Sequence, residues 1–247
     1  IVSCVADSPP LFFAQCHIFQ SSFQAALWKE TDLFPIINHF THWPQPGLIK
    51  RSEERGDRFD NLSYYGAPNQ LDLGLQSMET INKFKDIGIN LNFKFENYYD
   101  YSETDCVFAV RKFNQKIVSH KPASKLINAW LAGVPAILGK EAAYQEQRHS
   151  DLDYIEVDSI SELMNASLRL RDDKLLRNSM VERGLERSEN FTAEHITTSW
   201  ASFLKDELPI LFEKWSSLSW WDRNQFYNKQ FIKRAKMSLE RKITNFI

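Results

Sequence analysis

The sequence predicts an α/β chain built on a doubly wound parallel sheet, and three observations carry that expectation. Short apolar runs alternate with stretches of helical apolar spacing from Asn61 onward. One run, Cys106-Val107-Phe108-Ala109-Val110, is continuously apolar, as a central parallel strand covered on both faces requires. The segment from Lys121 to Leu138 reads as a basic turn (Lys121-Pro122-Ala123-Ser124-Lys125), a helix closing on Ala132-Gly133, a stop at Pro135, and a buried strand at Ala136-Ile137-Leu138.

The elements follow in order. Ile1 to Val5 is a strand candidate ending at Asp7-Ser8-Pro9-Pro10, and its apolar start suggests a protein that is longer at its N-terminus. Leu11 to Trp28 has mixed apolar spacing with several aromatics. His39 to Lys50 contains His42-Trp43-Pro44-Gln45-Pro46-Gly47, where two prolines and a glycine exclude regular structure. Arg51 to Asp60 is strongly charged and reads as an exposed linker at a domain boundary. Asn61 to Tyr65 is a strand stopping at Gly66-Ala67-Pro68-Asn69, Asp72 to Asp86 a helix, and Leu91 to Phe95 a half-exposed strand. Tyr154 to Val157 is a further strand, and Ser159 with Glu162 forms a capping box that opens another helix. From Asp172 onward the chain reads as largely helical. Its last part carries Trp215, Trp220 and Trp221 and the basic stretch Lys229 to Lys242. Such a helix suits nucleic acid or a membrane surface, but interspersed acids and aromatics favour packing on the protein itself. The expected organisation is a first domain over 1–50, a linker over 51–60, an α/β domain over 61–205 and a helical tail over 206–247.

Composition narrows the function. With 247 residues, 43% apolar and 25% charged, the chain can bury a substantial core. A net charge of -2 argues against a dedicated nucleic-acid binder. Cys4, Cys16 and Cys106 lie far apart and read as reduced residues of a cytosolic protein. No apolar run approaches the roughly 20 residues of a membrane span, and no secretory signal is visible. Glycine-rich dinucleotide, P-loop and nucleophile-elbow patterns are missing. Histidines and cysteines lack metal-ligand spacing, and Asp151-Leu152-Asp153 reads as a surface turn, so no metal is expected.

In an open parallel sheet, ligands bind beyond the carboxyl ends of the strands. Three such loops carry suitable residues: Gly66, Arg111-Lys112, and His120 to Lys125. Arg111, Lys121 and Lys125 are expected to converge on one crevice, with Ser124 and helix-start amides as further donors. That is chemistry for a diphosphate. Taken singly, each basic residue is equally well explained as a solvated loop end. Glu141 is placed to accept hydrogen bonds from sugar hydroxyls and Tyr144 to stack on a ring; alternatively, Glu141 simply stabilises a helix N-terminus.

Lys121 to Gly139 resembles the donor-nucleotide region of two-domain GT-B-fold glycosyltransferases. His42 to Ile49, Lys121 to Leu126, Gly139 to Tyr144 and Leu152 to Val157 resemble cyanobacterial polysaccharide-synthesis glycosyltransferases, among them the heterocyst-envelope polysaccharide glucosyltransferases. The resemblance spans about residues 1 to 200. It implies that 1–50 is the end of an N-terminal acceptor domain, 61–205 the Rossmann-like donor domain, and 206–247 a tail crossing back over both domains. It also implies metal-independent transfer of a hexose, glucose from UDP-glucose, to a polysaccharide or lipid-linked acceptor in envelope synthesis. No cofactor is implied beyond the UDP-sugar co-substrate. Arg111 and Lys125 would stabilise the leaving UDP, Lys121 and Ser124 would help to hold the diphosphate, and Gly66, Pro122, Ala123 and Leu126 would belong to the same UDP-sugar site. Asn128 would bind the ribose, and Glu141 with Tyr144 the sugar. An inverting mechanism needs a base, for which Asp7 and His17 are the candidates. Retaining members carry a Glu-x7-Glu pair, and His120 and Asn128 stand at those positions, so the stereochemistry stays open. A non-catalytic sugar-nucleotide or polysaccharide-binding module and a nucleotide-sugar epimerase are the alternatives. The implied location is cytoplasmic, with peripheral contact at the inner face of the plasma membrane as a variant.

Overall fold

A computed structural model describes residues 1–5, 10–30, 34–113 and 121–244, with side chains through residue 236. Asp7 and His120 lie outside the described residues. The chain divides into two compact units, one made of 1–41 and 194–247 and the other of 42–193.

The first unit holds a parallel three-stranded sheet of β1 (Val2–Val5), β2 (Cys16–Phe19) and β3 (Ile37–His39), in that order. Helix α1 (Ser22–Glu30) connects β2 to β3. All four β2 residues are buried, which the mixed spacing of 11–28 concealed. Phe19, Phe34 and Ile37 form one side of this core, and Cys16, Ile18 and Phe203 the other. Phe203 is supplied by the returning C-terminal segment just after helix α7 (Ala193–Ser202), where Phe40 stacks on Trp200 at 4.8 Å and meets Phe203 at 5.4 Å. The first unit thus takes in the chain from Glu194 onward, earlier than the tail boundary expected at 206.

The second unit is a five-stranded parallel sheet. Its strands are β4 (Asn61–Tyr65), β5 (Asn90–Lys94), β6 (Cys106–Ala109), β7 (Ala136–Leu138) and β8 (Ile155–Glu156), in the order β5-β4-β6-β7-β8. From β4 the sheet grows first to β5 and then to β6 on the other side, so the topological switch point lies between β4 and β6. Helices α2 (Met78–Asp86), α3 (Ser124–Ala132), α4 (Ala142–Glu146), α5 (Ile160–Asp172) and α6 (Lys174–Ser188) connect or cover the strands. Helix α3 ends at Gly133, whose φ of 72° and ψ of 38° let its amide close on Ala129 and Trp130. A Cβ would strain that left-handed position. At the start of α5, Ser159 Oγ accepts from the Glu162 amide at 3.1 Å, while the Glu162 carboxylate reaches Asp158 N at 2.7 Å. The capping box is therefore present, with its return bond one residue early.

The charged stretch 51–60 is not the exposed linker expected from its composition. Arg55 is buried, with ion pairs to Asp105, Glu103 and Asp60. Asp105 also accepts from Arg51 and from the amides of Asp60 and Asn61, each at 2.9–3.0 Å. Upstream, Ile49 N donates to Tyr99 O at 2.8 Å and Tyr101 N to Ile49 O at 3.0 Å. Residues 42–60 thus belong to the second unit, and the division falls before His42.

Burial raises the affinity of the Asp105 carboxyl for a proton, but the donors from Arg55, Asp60, Asn61 and Arg51 outweigh it and hold the group below its ordinary value. Replacing Asp105 by Ala leaves Arg55 buried without its main partner and is expected to cost about 3–5 kcal/mol, read by urea denaturation. Because folding depresses this pKa, its stabilisation is complete above the ordinary value of 3.8 and is lost as pH falls through the lower folded value. The D105N protein should accordingly show a flatter acid limb of stability than the wild type.

Candidate functional site

At the carboxyl end of β4 the chain turns at Gly66, whose φ is 153°. A Cβ there would come within 2.7 Å of the Tyr64 hydroxyl and 3.4 Å of Lys125 Cε. The missing side chain therefore lets β4 and the first turn of α3 approach each other, which joins two of the loops singled out from the sequence. Lys125 Nζ sits 5.6 Å from the centre of the Tyr64 ring. The start of α3 carries no side-chain cap and no acidic residue in its first turn. The first amides of a helix have no intrahelical partner and carry the positive end of its dipole. Ser124, Lys125 and Leu126 supply those amides; the Leu126 side chain itself is fully buried in the core.

A cavity of about 210 Å³ opens at this place. Gly66, Ser124, Lys125 and Asn128, four of the residues singled out from the sequence, line it. Lys121, Pro122 and Ala123 lie in the turn before α3 and are not among its lining residues. The remaining wall was not foreseen. It is formed by His42 to Pro46, Tyr65, Tyr98 and Tyr101. Gln45 N donates to Asn128 Oδ1 at 3.0 Å, and the Asn128 side chain also hydrogen-bonds Tyr101. Asn128 thus staples the irregular 42–46 segment to α3, an alternative use of the residue expected to bind ribose. Tyr65 stacks on Tyr101 at 4.0 Å, and its hydroxyl reaches Asp100 O at 2.8 Å and Thr104 at 2.6 Å. Burial pushes the Tyr65 phenol up to about 12, so it is neutral near pH 7. Trp43 and Tyr98 line the cavity and are partly exposed.

Arg111, Glu141 and Tyr144 depart from their expected places. Arg111 Nε pairs with Glu141 at 2.9 Å, and its Nη1 hydrogen-bonds Gln70. Neither Arg111 nor Glu141 lines the cavity. Glu141 occupies the N-cap position of α4 without capping it. It is buried, and among the described residues its Oε2 has no hydrogen-bond partner. The Tyr144 ring is fully buried against Tyr154, at 6.2 Å, and cannot stack on a bound ring in this arrangement. The apolar side of short α4 turns it into the core.

In the first unit, the His17 ring is buried and stacks on Phe34 at 3.8 Å. Its Nε2 lies 2.7 Å from Leu11 O, which can only accept, so Nε2 carries the proton. Burial lowers the pKa and keeps the ring neutral. This environment suits a core histidine at least as well as a base. Among the described residues no group of three or more His, Cys, Asp or Glu is placed to hold a metal ion. No described helix is long and apolar enough to cross a membrane.

No protein-family model and no curated protein matches the chain. Solved structures do. Sucrose-phosphate synthase from Thermosynechococcus elongatus aligns with a TM-score of 0.58 at 13% identity over 80% of this chain. Anabaena Alr3699/HepE in complex with UDP and glucose aligns with 0.55 at 12% over 77%, and the GtfA/B complex with 0.55 at 11% over 78%. The chain spans 59%, 63% and 45% of these structures, respectively. The likeness establishes the fold class: mixed α/β with parallel sheets, as in GT-B glycosyltransferases.

Replacing Gly66 by Ala should destabilise the protein by about 1–3 kcal/mol, because the backbone is strained for an L-residue and the methyl group meets the Tyr64 hydroxyl. Chemical denaturation of the G66A protein measures this.

Proposed function

We propose that the chain is the donor-binding part of a glycosyltransferase that uses a nucleoside-diphosphate sugar, with UDP-glucose as the donor. The observation that carries this reading is the uncapped start of α3, with Lys125 held beside Gly66 at the sheet's switch point. The diphosphate would accept hydrogen bonds from the Ser124, Lys125 and Leu126 amides and the Ser124 hydroxyl. In the transfer, the bond from the sugar's anomeric carbon to the β-phosphate oxygen breaks and UDP leaves with the electron pair. A bond to an acceptor hydroxyl forms as that hydroxyl gives up its proton, which ends on the diphosphate of the departing UDP or in solvent. Lys125 and the helix dipole face the charge that grows on the leaving diphosphate, where preorganised positive groups act most strongly. Arg111 lies further back, its charge partly compensated by Glu141. The nucleoside would lie against the 42–46 segment and Tyr98, with the buried Tyr65–Tyr101 stack as the floor beneath it.

Support for UDP-glucose comes from Anabaena Alr3699/HepE, which is similar in fold and was captured with UDP, with UDP-glucose, and with UDP and glucose. A saccharide or lipid-linked acceptor and an envelope-polysaccharide product belong to the same reading. So does independence from a divalent metal, because lysine and amide groups supply the compensating charge. A second reading is a sugar-nucleotide-binding module without turnover. It is favoured by Asn128, which stands where retaining members carry an acid and is engaged with Gln45.

Lys125→Ala should lower turnover of UDP-glucose at least about a hundredfold, measured as UDP release in the presence of acceptor. Near-normal release in that variant overturns the assignment, and no release by the wild type with any acceptor favours the module. UDP-glucose should raise the wild-type melting temperature more than GDP- or ADP-sugars, since a ligand that binds only the folded state stabilises it. Wild-type release should persist in EDTA.

A further inference from the structure

The last helix, α9 (Trp220–Thr244), presents two apolar faces, and among the described residues one is packed and the other exposed. On the inner face, Phe226 and Tyr227 meet Trp215 of α8 (Leu208–Ser216) at 5.2 and 5.9 Å, and Gln230 is buried. The other face carries Trp220, Trp221, Phe231 and Ile232, exposed at 66%, 76%, 66% and 66%. At 3.6 residues per turn, Trp220 and Phe231 stand about three turns apart on nearly the same line, as do Trp221 and Ile232. Together they make one apolar ridge, with Asn224, Asn228 and Ala235 between them. The charge along the helix is mainly basic: Arg223, Lys229, Lys233, Arg234 and Lys236 lie between its two acids, Asp222 and Glu240. Lys229 and Lys236 are exposed on one flank of the ridge.

We propose that this face of α9 lies in the headgroup region of an anionic lipid bilayer. Tryptophan and phenylalanine on one arc with lysines beside it is the pattern of interfacial helices, in which rings enter the headgroup boundary and cations meet anionic lipid. A cationic flank favours that occupant over a second copy of the chain, whose α9 would bring the same positive charge to the contact. The inference is independent of the sugar-nucleotide reading.

The test is flotation of the complete protein with vesicles of phosphatidylcholine alone or with about 30% phosphatidylglycerol. The wild type should partition onto the anionic vesicles, and high salt should release much of it. Trp221→Ser with Phe231→Ser, and separately Lys229→Glu with Lys236→Glu, should each lower partitioning at least about tenfold while leaving the melting temperature unchanged. Both pairs are solvent-exposed, and either alone decides the question if the other fails to fold. Absence of wild-type binding, or wild-type binding by both variants, overturns the proposal. So does a wild-type dimer in sedimentation that the serine variant dissociates without any vesicle binding.

Discussion

The second unit depends on the buried carboxylate of Asp105. A lone carboxylate in an apolar interior is strongly unfavourable, and this one is tolerated because its oxygens are surrounded by donors. Arg55 approaches with Nε at 2.8 Å and Nη2 at 2.7 Å, Arg51 with Nη2 at 2.8 Å, and the amides of Asp60 and Asn61 at 2.9 Å each. Those amides open β4, while Asp105 itself immediately precedes β6. The same group therefore ties the starts of the two strands that flank the switch point, and the register Leu62↔Cys106 follows directly. Each strand residue advances the chain by about 3.3 Å, so a tie at one end also sets where the other ends emerge. Gly66 and Val110 come out at the opposite edge, where the candidate site is built.

That edge shows a division of labour between groups that stabilise and groups left available. The Tyr64, Phe108 and Leu126 side chains are fully buried and fix the walls. The amides at the start of α3, by contrast, have no side-chain cap, which leaves a stabilising contribution of about 1 kcal/mol unused. An uncapped start beside a lysine and a glycine is a poor solution for stability alone. It becomes a good one when an anion supplies the missing acceptors.

Much of this was legible in the sequence because it rests on local patterns. Asn61–Tyr65 and Ala136–Leu138 are strands with the expected bounds, and Ser124–Ala132 is the expected helix. What escaped depends on partners far along the chain. Arg55 looks solvated until Asp105 and Glu103, about fifty residues later, are folded against it. Tyr144 looks available until α4 is seen to turn its ring toward Tyr154. The 42–46 segment was correctly read as irregular, but irregularity gives no hint of where a segment docks. Only the bond from Gln45 to Asn128, spanning 83 residues, shows that it walls the cavity.

The Arg111–Glu141 pair completes the electrostatic picture. Convergence of three basic residues would have made a strongly cationic crevice, attractive to any polyanion. Instead, one arginine is matched by a buried carboxylate and held by Gln70, a little behind the cavity. The cavity then relies on one lysine and the directed amides of a helix start. Amide donors recognise an anion by the position of its oxygens, whereas a free cluster of cations responds mainly to charge. The arrangement therefore exchanges raw attraction for geometric selection. A ligand with a phosphate at the α3 start and a planar ring against Trp43 or Tyr98 satisfies both ends at once, and a bare polyanion satisfies only one.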